Sequence, residues 1–118
     1  MRRGLNEVVG ILSIGALSGC FPKAGPLPGP LPSESIVRAQ SRWPAATEES
    51  LEKGRGLFAT YCDNCHHYPD LREYSETKWP EIVRRMSKKS GISPDDSERV
   101  LHFVLAARAD LTGPVVVP

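Results

Sequence analysis

The chain has 118 residues, with 15 Lys+Arg against 14 Asp+Glu and a formal net charge of +1. That length supports one small domain, and the charge balance lacks the basic excess of a nucleic-acid-binding protein. Three cysteines are too few for a disulfide scaffold, and an odd number leaves at least one with a separate job. The charged fraction of 25% and apolar fraction of 40% are those of a globular protein, so the placing of the 11 prolines matters more than their number.

The first residues read as an address rather than a fold. Met1-Arg2-Arg3 is a short positive start, and Val8 to Leu17 is an uncharged, mostly apolar run. A spanning helix needs about 20 apolar residues, so this shorter run fits the apolar centre of a signal peptide. It ends in Leu17-Ser18-Gly19-Cys20, which resembles the lipobox of bacterial lipoproteins. The resemblance implies removal of residues 1–19 and acylation of Cys20. The competing reading is a soluble secreted protein with a chance cysteine. Acylation implies a place in the cell envelope, on the periplasmic side, held to a membrane by the N-terminal lipid. Phe21, where an Asp would retain a lipoprotein at the inner membrane, favours the outer membrane. The Arg2-Arg3 pair alone is the only sign of a twin-arginine export route.

Residues 20–46 are expected to form a tether. Between Pro22 and Pro32, five of eleven positions are proline, which fixes φ and removes backbone donors. Fully extended, that stretch would span about 34 Å. It suits a spacer between lipid and domain; a plain disordered terminus fits equally well. A proline-rich ligand for a partner domain has only Lys23 in support.

Residues 47–112 carry the domain, read as all-α with three main helices. Thr47-Glu48-Glu49 opens the first, with Leu51, Gly54, Leu57, Phe58 and Tyr61 along one face. Trp79-Pro80-Glu81 opens the second, with Ile82, Val83 and Met86 on one face and Gly91 as its C-cap. Ser93-Pro94-Asp95-Asp96 opens the third, whose buried stripe is Val100, Phe103, Val104 and Ala107. His102 lies off that stripe and is expected at the surface. Residues 113–118 are a tail, with Val115 to Val117 the only hint of a strand. So small a core generally needs a disulfide, a metal or a cofactor to complete it.

Cys62-Asp63-Asn64-Cys65-His66 provides one. C-x-x-C-H is the attachment pattern for c-type haem: two thiols form thioethers to one porphyrin, and the adjacent imidazole binds the iron. A thioredoxin-like pair would need a βαβ setting, a zinc site a fourth ligand with suitable separation, and a Cys62–Cys65 disulfide a longer loop. An export signal also agrees with haem attachment outside the cytoplasm.

With these residues the chain resembles the small class I cytochromes c, from about Thr47 to Ala109. The resemblance rests on Gly54 to Cys62 running into the haem motif and on Val100 to Leu105 with its aromatic. It implies that Gly54 and Phe58 cross the last helix near Phe103. It implies one covalent haem c, thioethers to Cys62 and Cys65, and His66 as proximal iron ligand. The family's distal ligand is usually a Met between the motif and the last helix, and Met86 is the only methionine left once the signal is gone. Trp79 to Met86 looks like the W…R-M version of a subset of the family, although here the Met falls in a predicted helix instead of a loop. His102 and His67 are the rival ligands. Trp79 is a candidate haem contact, Tyr68, Tyr74 and Arg72 are candidate propionate contacts, and a carbonyl near Pro69 would accept the His66 Nδ1 proton.

With both axial positions filled, the expected activity is electron transfer, not enzymatic turnover. Arg84, Arg85, Lys88 and Lys89 surround Met86, whereas Glu48, Glu49 and Glu52 gather on the first helix. Such a basic patch would steer an acidic redox partner, or it is simply a solvated helix face. A paired-haem peroxidase would need a second motif, which is absent. A gas-binding sensor module and a haem subunit of a larger respiratory complex are the alternatives.

Overall fold

The computed structural model describes residues 24–62 and 67–113. In chain order these form β1 (Ala24–Gly25), α1 (Ser33–Arg42), α2 (Glu48–Tyr61), β2 (Tyr68–Pro69), α3 (Trp79–Ser90) and α4 (Pro94–Thr112). The domain is mostly helical, with four helices where three were expected. The fourth, α1, and the strand β1 both arise from the stretch read as a tether. The signal segment, Cys20, Cys65, His66 and residues 114–118 lie outside the described residues.

Two of the three expected helices open on a side-chain cap. Thr47 Oγ1 accepts from Ser50 N at 3.1 Å ahead of α2, and Ser93 Oγ accepts from Asp96 N at 3.2 Å ahead of α4. Pro80 and Pro94 occupy first-turn positions, where the missing N–H costs nothing. Gly91 closes α3 in the left-handed region at φ 70°, and Ile92 N then donates back to Ser87 O at 2.9 Å.

Helix α4 is the hub. Its expected stripe (Val100, Phe103, Val104, Ala107) is buried against α2 and α3, in one cluster with Phe58, Trp79, Ile82 and Val83. At the α2–α4 crossing Gly54 is obligatory: a Cβ there would stand 2.7 Å from the Arg99 carbonyl carbon and 3.1 Å from Phe103 Cβ. One turn on, Phe58 meets Phe103 edge to face at 5.8 Å between ring centroids.

The opposite side of α4 is covered by α1. That helix follows Pro32, carries Glu34 in its first turn and Arg42 in its last, and stops at Trp43, whose extended backbone suits the residue before Pro44. Ser35 and Ala39 are its buried residues. Ser35 Oγ donates to Asp110 of α4 at 2.6 Å, and Arg38 closes on the same carboxylate at 2.5 Å. Trp43 stacks on His102, with centroids 4.8 Å apart and planes 20° from parallel. His102 is therefore buried, at 6% exposure, and not at the surface as expected. The stripe reading put it on the far side of α4 correctly but did not foresee a helix there.

Residues 24–32 are docked too. Ala24 pairs with Pro69 and Gly25 with Tyr68 in an antiparallel ladder. A Cβ on Gly25 would come within 2.8 Å of Asp70 Cα and 2.9 Å of Pro69 O, so only glycine allows this approach. The proline segment borders one groove with Leu71, Ala107 and Leu111, and Leu31 packs against the core.

Candidate functional site

The end of α2, β2, one face of α3 and the first half of α4 border a small pocket of about 20 Å³. Its lining is almost wholly apolar. Helix α2 contributes Phe58, Tyr61 and Cys62; α3 contributes Trp79, Ile82, Val83 and Met86; Val100 and Val104 of α4 form the floor. Cys62 sits at the C-cap of α2, with its N–H bonded to Phe58 O at 2.9 Å. The regular i, i+3, i+4 spacing of α3 puts Met86 on the same face as Ile82 and Val83. One thiol and one thioether, from different helices, thus line one cavity.

Trp79 is held rigidly. It is 2% exposed, its indole N–H donates to Leu71 O at 3.1 Å, and Tyr74 packs against it edge to face at 5.7 Å. Its ring can therefore offer an apolar face to a ligand while its N–H remains with the backbone. Tyr68 stacks on Phe58 at 5.7 Å and donates its hydroxyl to Ala59 O at 3.0 Å, joining β2 to α2. Arg72 pairs with Asp70 at 3.1 Å and faces the proline segment instead of this pocket.

His67 Nδ1 lies 3.3 Å from Tyr68 O and does not line the pocket. His102 lies in a separate depression with Ser50, Asp95, Glu98 and Arg99. Burial holds its pKa below the ordinary value; Glu98, 3.7 Å away, pulls the other way, and Arg42 adds to the depression. Of the two rival ligands, neither shares a wall with Cys62.

Three pocket residues, Ser87, Ser90 and Ile92, escaped the sequence reading, and Pro69 entered it only through a carbonyl nearby. Pro69 is fully buried and forms a wall beside Cys62. Ile92 enters because the Gly91 turn reverses the chain, and a lone apolar residue directly after a glycine cap was the available signal.

Outside the pocket, Arg84, Arg85, Lys88 and Lys89 are all exposed. On the same helix Lys78 binds Glu81 at 2.9 Å and holds its carboxyl below the usual range, with smaller help from Arg85 and Arg84. Comparison with protein-family models, curated proteins and solved structures finds no match to this chain.

Proposed function

We propose that this protein is a lipid-anchored, mono-haem c-type cytochrome that passes single electrons between redox partners on the periplasmic side of the envelope. The observation that carries the reading is the shared pocket: Cys62, the first thiol of the C-x-x-C-H run, and Met86 line one apolar cavity. The donors fit the group in kind, since a thiol and a thioether border one apolar space, which would have to open to seat a porphyrin. Cys62 and Cys65 would hold it by thioethers, His66 would be its proximal ligand and Met86 its distal one. When bound, haem c supplies a one-electron iron couple.

The chain's own contribution is enclosure and tuning. Phe58, Trp79, Val83 and Val104 exclude water and lower the local dielectric. A neutral thioether from Met86 favours the ferrous state more than an imidazole would. Trp79, fixed by its bond to Leu71 O, supplies a flat wall at the base of α3. The exposed cations of α3 flank Met86 and would draw an acidic partner to the pocket mouth, an attraction that falls with added salt. With both axial positions filled the protein would carry electrons without being an enzyme.

A second reading draws on the position of Met86 within a regular helix. If the thioether does not ligate, the fifth-ligand-only iron would belong to a gas-binding module or to a haem subunit of a larger complex. Absorption and mass spectra of the mature protein decide the main point, with one covalent haem and one N-terminal lipid expected. Met86→Ala should lower the reduction potential and open the reduced protein to carbon monoxide, whereas His102→Gln should leave the spectrum alone. Ready carbon monoxide binding by the unaltered protein at neutral pH would sink the electron-carrier reading.

A further inference from the structure

Helix α3 is anchored unevenly along its length. Its first half is held by large buried side chains, Trp79, Ile82 and Val83. Past Val83 the residues at the pocket are Met86, Ser87 and Ser90. Met86 is only partly buried, and the serines are small. The outer faces of this stretch work against helical order. Arg84 and Lys88 stand four residues apart, as do Arg85 and Lys89, and like charges at that spacing repel. The turns that carry Met86 therefore have little apolar packing to fix their rotation.

Ser87 supplies what packing does not. It is 5% exposed, and a hydroxyl so buried costs free energy unless it is hydrogen-bonded. Its Oγ donates to Ser97 Oγ, in the first turns of α4, at 2.7 Å. Its carbonyl accepts from the N–H of Gly91 and, at 2.9 Å, from that of Ile92. Bonds to the following turn and to α4 thus converge on one residue, directly after the thioether. Successive residues of a helix point about 100° apart. A roll of α3 by that amount breaks the bond to Ser97 and takes Met86 off the pocket face.

We infer that Ser87 is a positioning residue for Met86: its bond to Ser97 sets the rotation of the end of α3 and keeps the thioether at the space it shares with Cys62. The inference rests on the proposed reading of Met86 as the distal iron ligand. Ser87 touches neither partner nor iron in that role; it acts through its neighbour. Loss of one such hydrogen bond corresponds to about a fivefold change in the balance between bound and released thioether.

The test measures how readily free imidazole displaces Met86 in the ferric, haem-loaded protein. Apparent imidazole affinity scales with the fraction of molecules whose thioether is off the iron. Ser97→Ala removes the acceptor from a site that does not line the pocket, and should raise that affinity about fivefold. Ser87→Ala should do the same. Ser97→Thr keeps a hydroxyl and should restore the unaltered value. Ser35→Ala breaks a buried hydrogen bond on the α1 side and should leave imidazole binding unchanged. If Ser97→Ala has no effect, or Ser35→Ala has an equal one, Ser87 only stabilises the fold and the inference is overturned. Met86→Ala separates that failure from failure of the reading beneath it. It should bind imidazole more tightly than any serine variant. Should it bind imidazole no better than the unaltered protein, Met86 is not the ligand, and reading and inference fall together.

Discussion

Helix α4 is buried from two sides by different means. Toward α2 the contact is dry and close: Gly54 lets the two backbones approach, and Phe58 and Phe103 fill the space beside the crossing. Toward α1 it is built of small and polar groups: Ala39, Ala46 and Ala106, the Ser35–Asp110–Arg38 hydrogen bonds, and Trp43 lying on His102. The first side cannot separate without exposing large apolar area. The second can open by exchanging a few hydrogen bonds and one stacked ring for water. The protein therefore has a rigid half that carries the pocket and a looser half that carries α1.

The largest expected effect is on the dry side. Gly54→Val puts a branched side chain against the Arg99 backbone, which cannot rotate away, so the helices must part. A loss of about 3 kcal/mol is expected, at the upper end for overpacking a core. Urea denaturation measures it, and a loss below about 1 kcal/mol would mean that the crossing has slack the close approach does not suggest. On the α1 side, Ser35→Ala removes a buried hydroxyl whose partner keeps Arg38 and some water, so about 1 kcal/mol is expected. The sharper readout is hydrogen exchange. Amides of α1 should exchange faster in Ser35→Ala while those of α2 remain protected. Uniform acceleration would erase the distinction between the halves.

The two sides also differ in how far they could be read from the chain. Leu51, Gly54 and Phe58 repeat at helical spacing, Thr47, Pro80 and Ser93 stand where caps belong, and each did in the fold what its local chemistry dictates. Helix α1 was hidden for a physical reason. Its buried residues, Ser35 and Ala39, have small faces, and its stability comes from Asp110, 75 positions away in the chain. The face it buries is small and polar, so it does not stand out as a stripe of large apolar residues. The proline segment misled in a different way: proline does forbid a helix there, but an extended chain can still dock, and Gly25 between Ala24 and Pro26 was the mark of a close approach. Of the site, the Cys62-x-x-Cys65-His66 spacing and Met86 are features of the sequence, and Cys65 and His66 lie outside the described residues. That Cys62 and Met86 share a pocket depends on the pairing of α3 with α4 and on the turn at Gly91, which only the folded chain brings together.

The smallest expected effect is the pH response of the α1 side, and it tests whether that side opens alone. The His102 ring is stacked under Trp43 and faces Glu98 of its own helix and Arg42 of α1. Burial depresses its pKa from the ordinary 6.5, so in the folded state it stays neutral further into acid than in the unfolded state. Between the two values the unfolded chain binds more protons, and by linkage stability rises with pH in that window. The contribution is complete above about pH 6.5 and is lost as the pH falls toward the depressed folded value. A charged ring would have to leave the stack or pair with Glu98, which is largely solvated and a weak partner. Acid should therefore loosen α1 first. Exchange of α1 amides, corrected for intrinsic rates, should accelerate between pH 7 and about pH 5 in the native protein and stay flat in His102→Gln. Amides of α2 should follow neither trend. If α1 and α2 respond together, the two faces of α4 form one cooperative unit, and α1 cannot be released without disturbing the pocket.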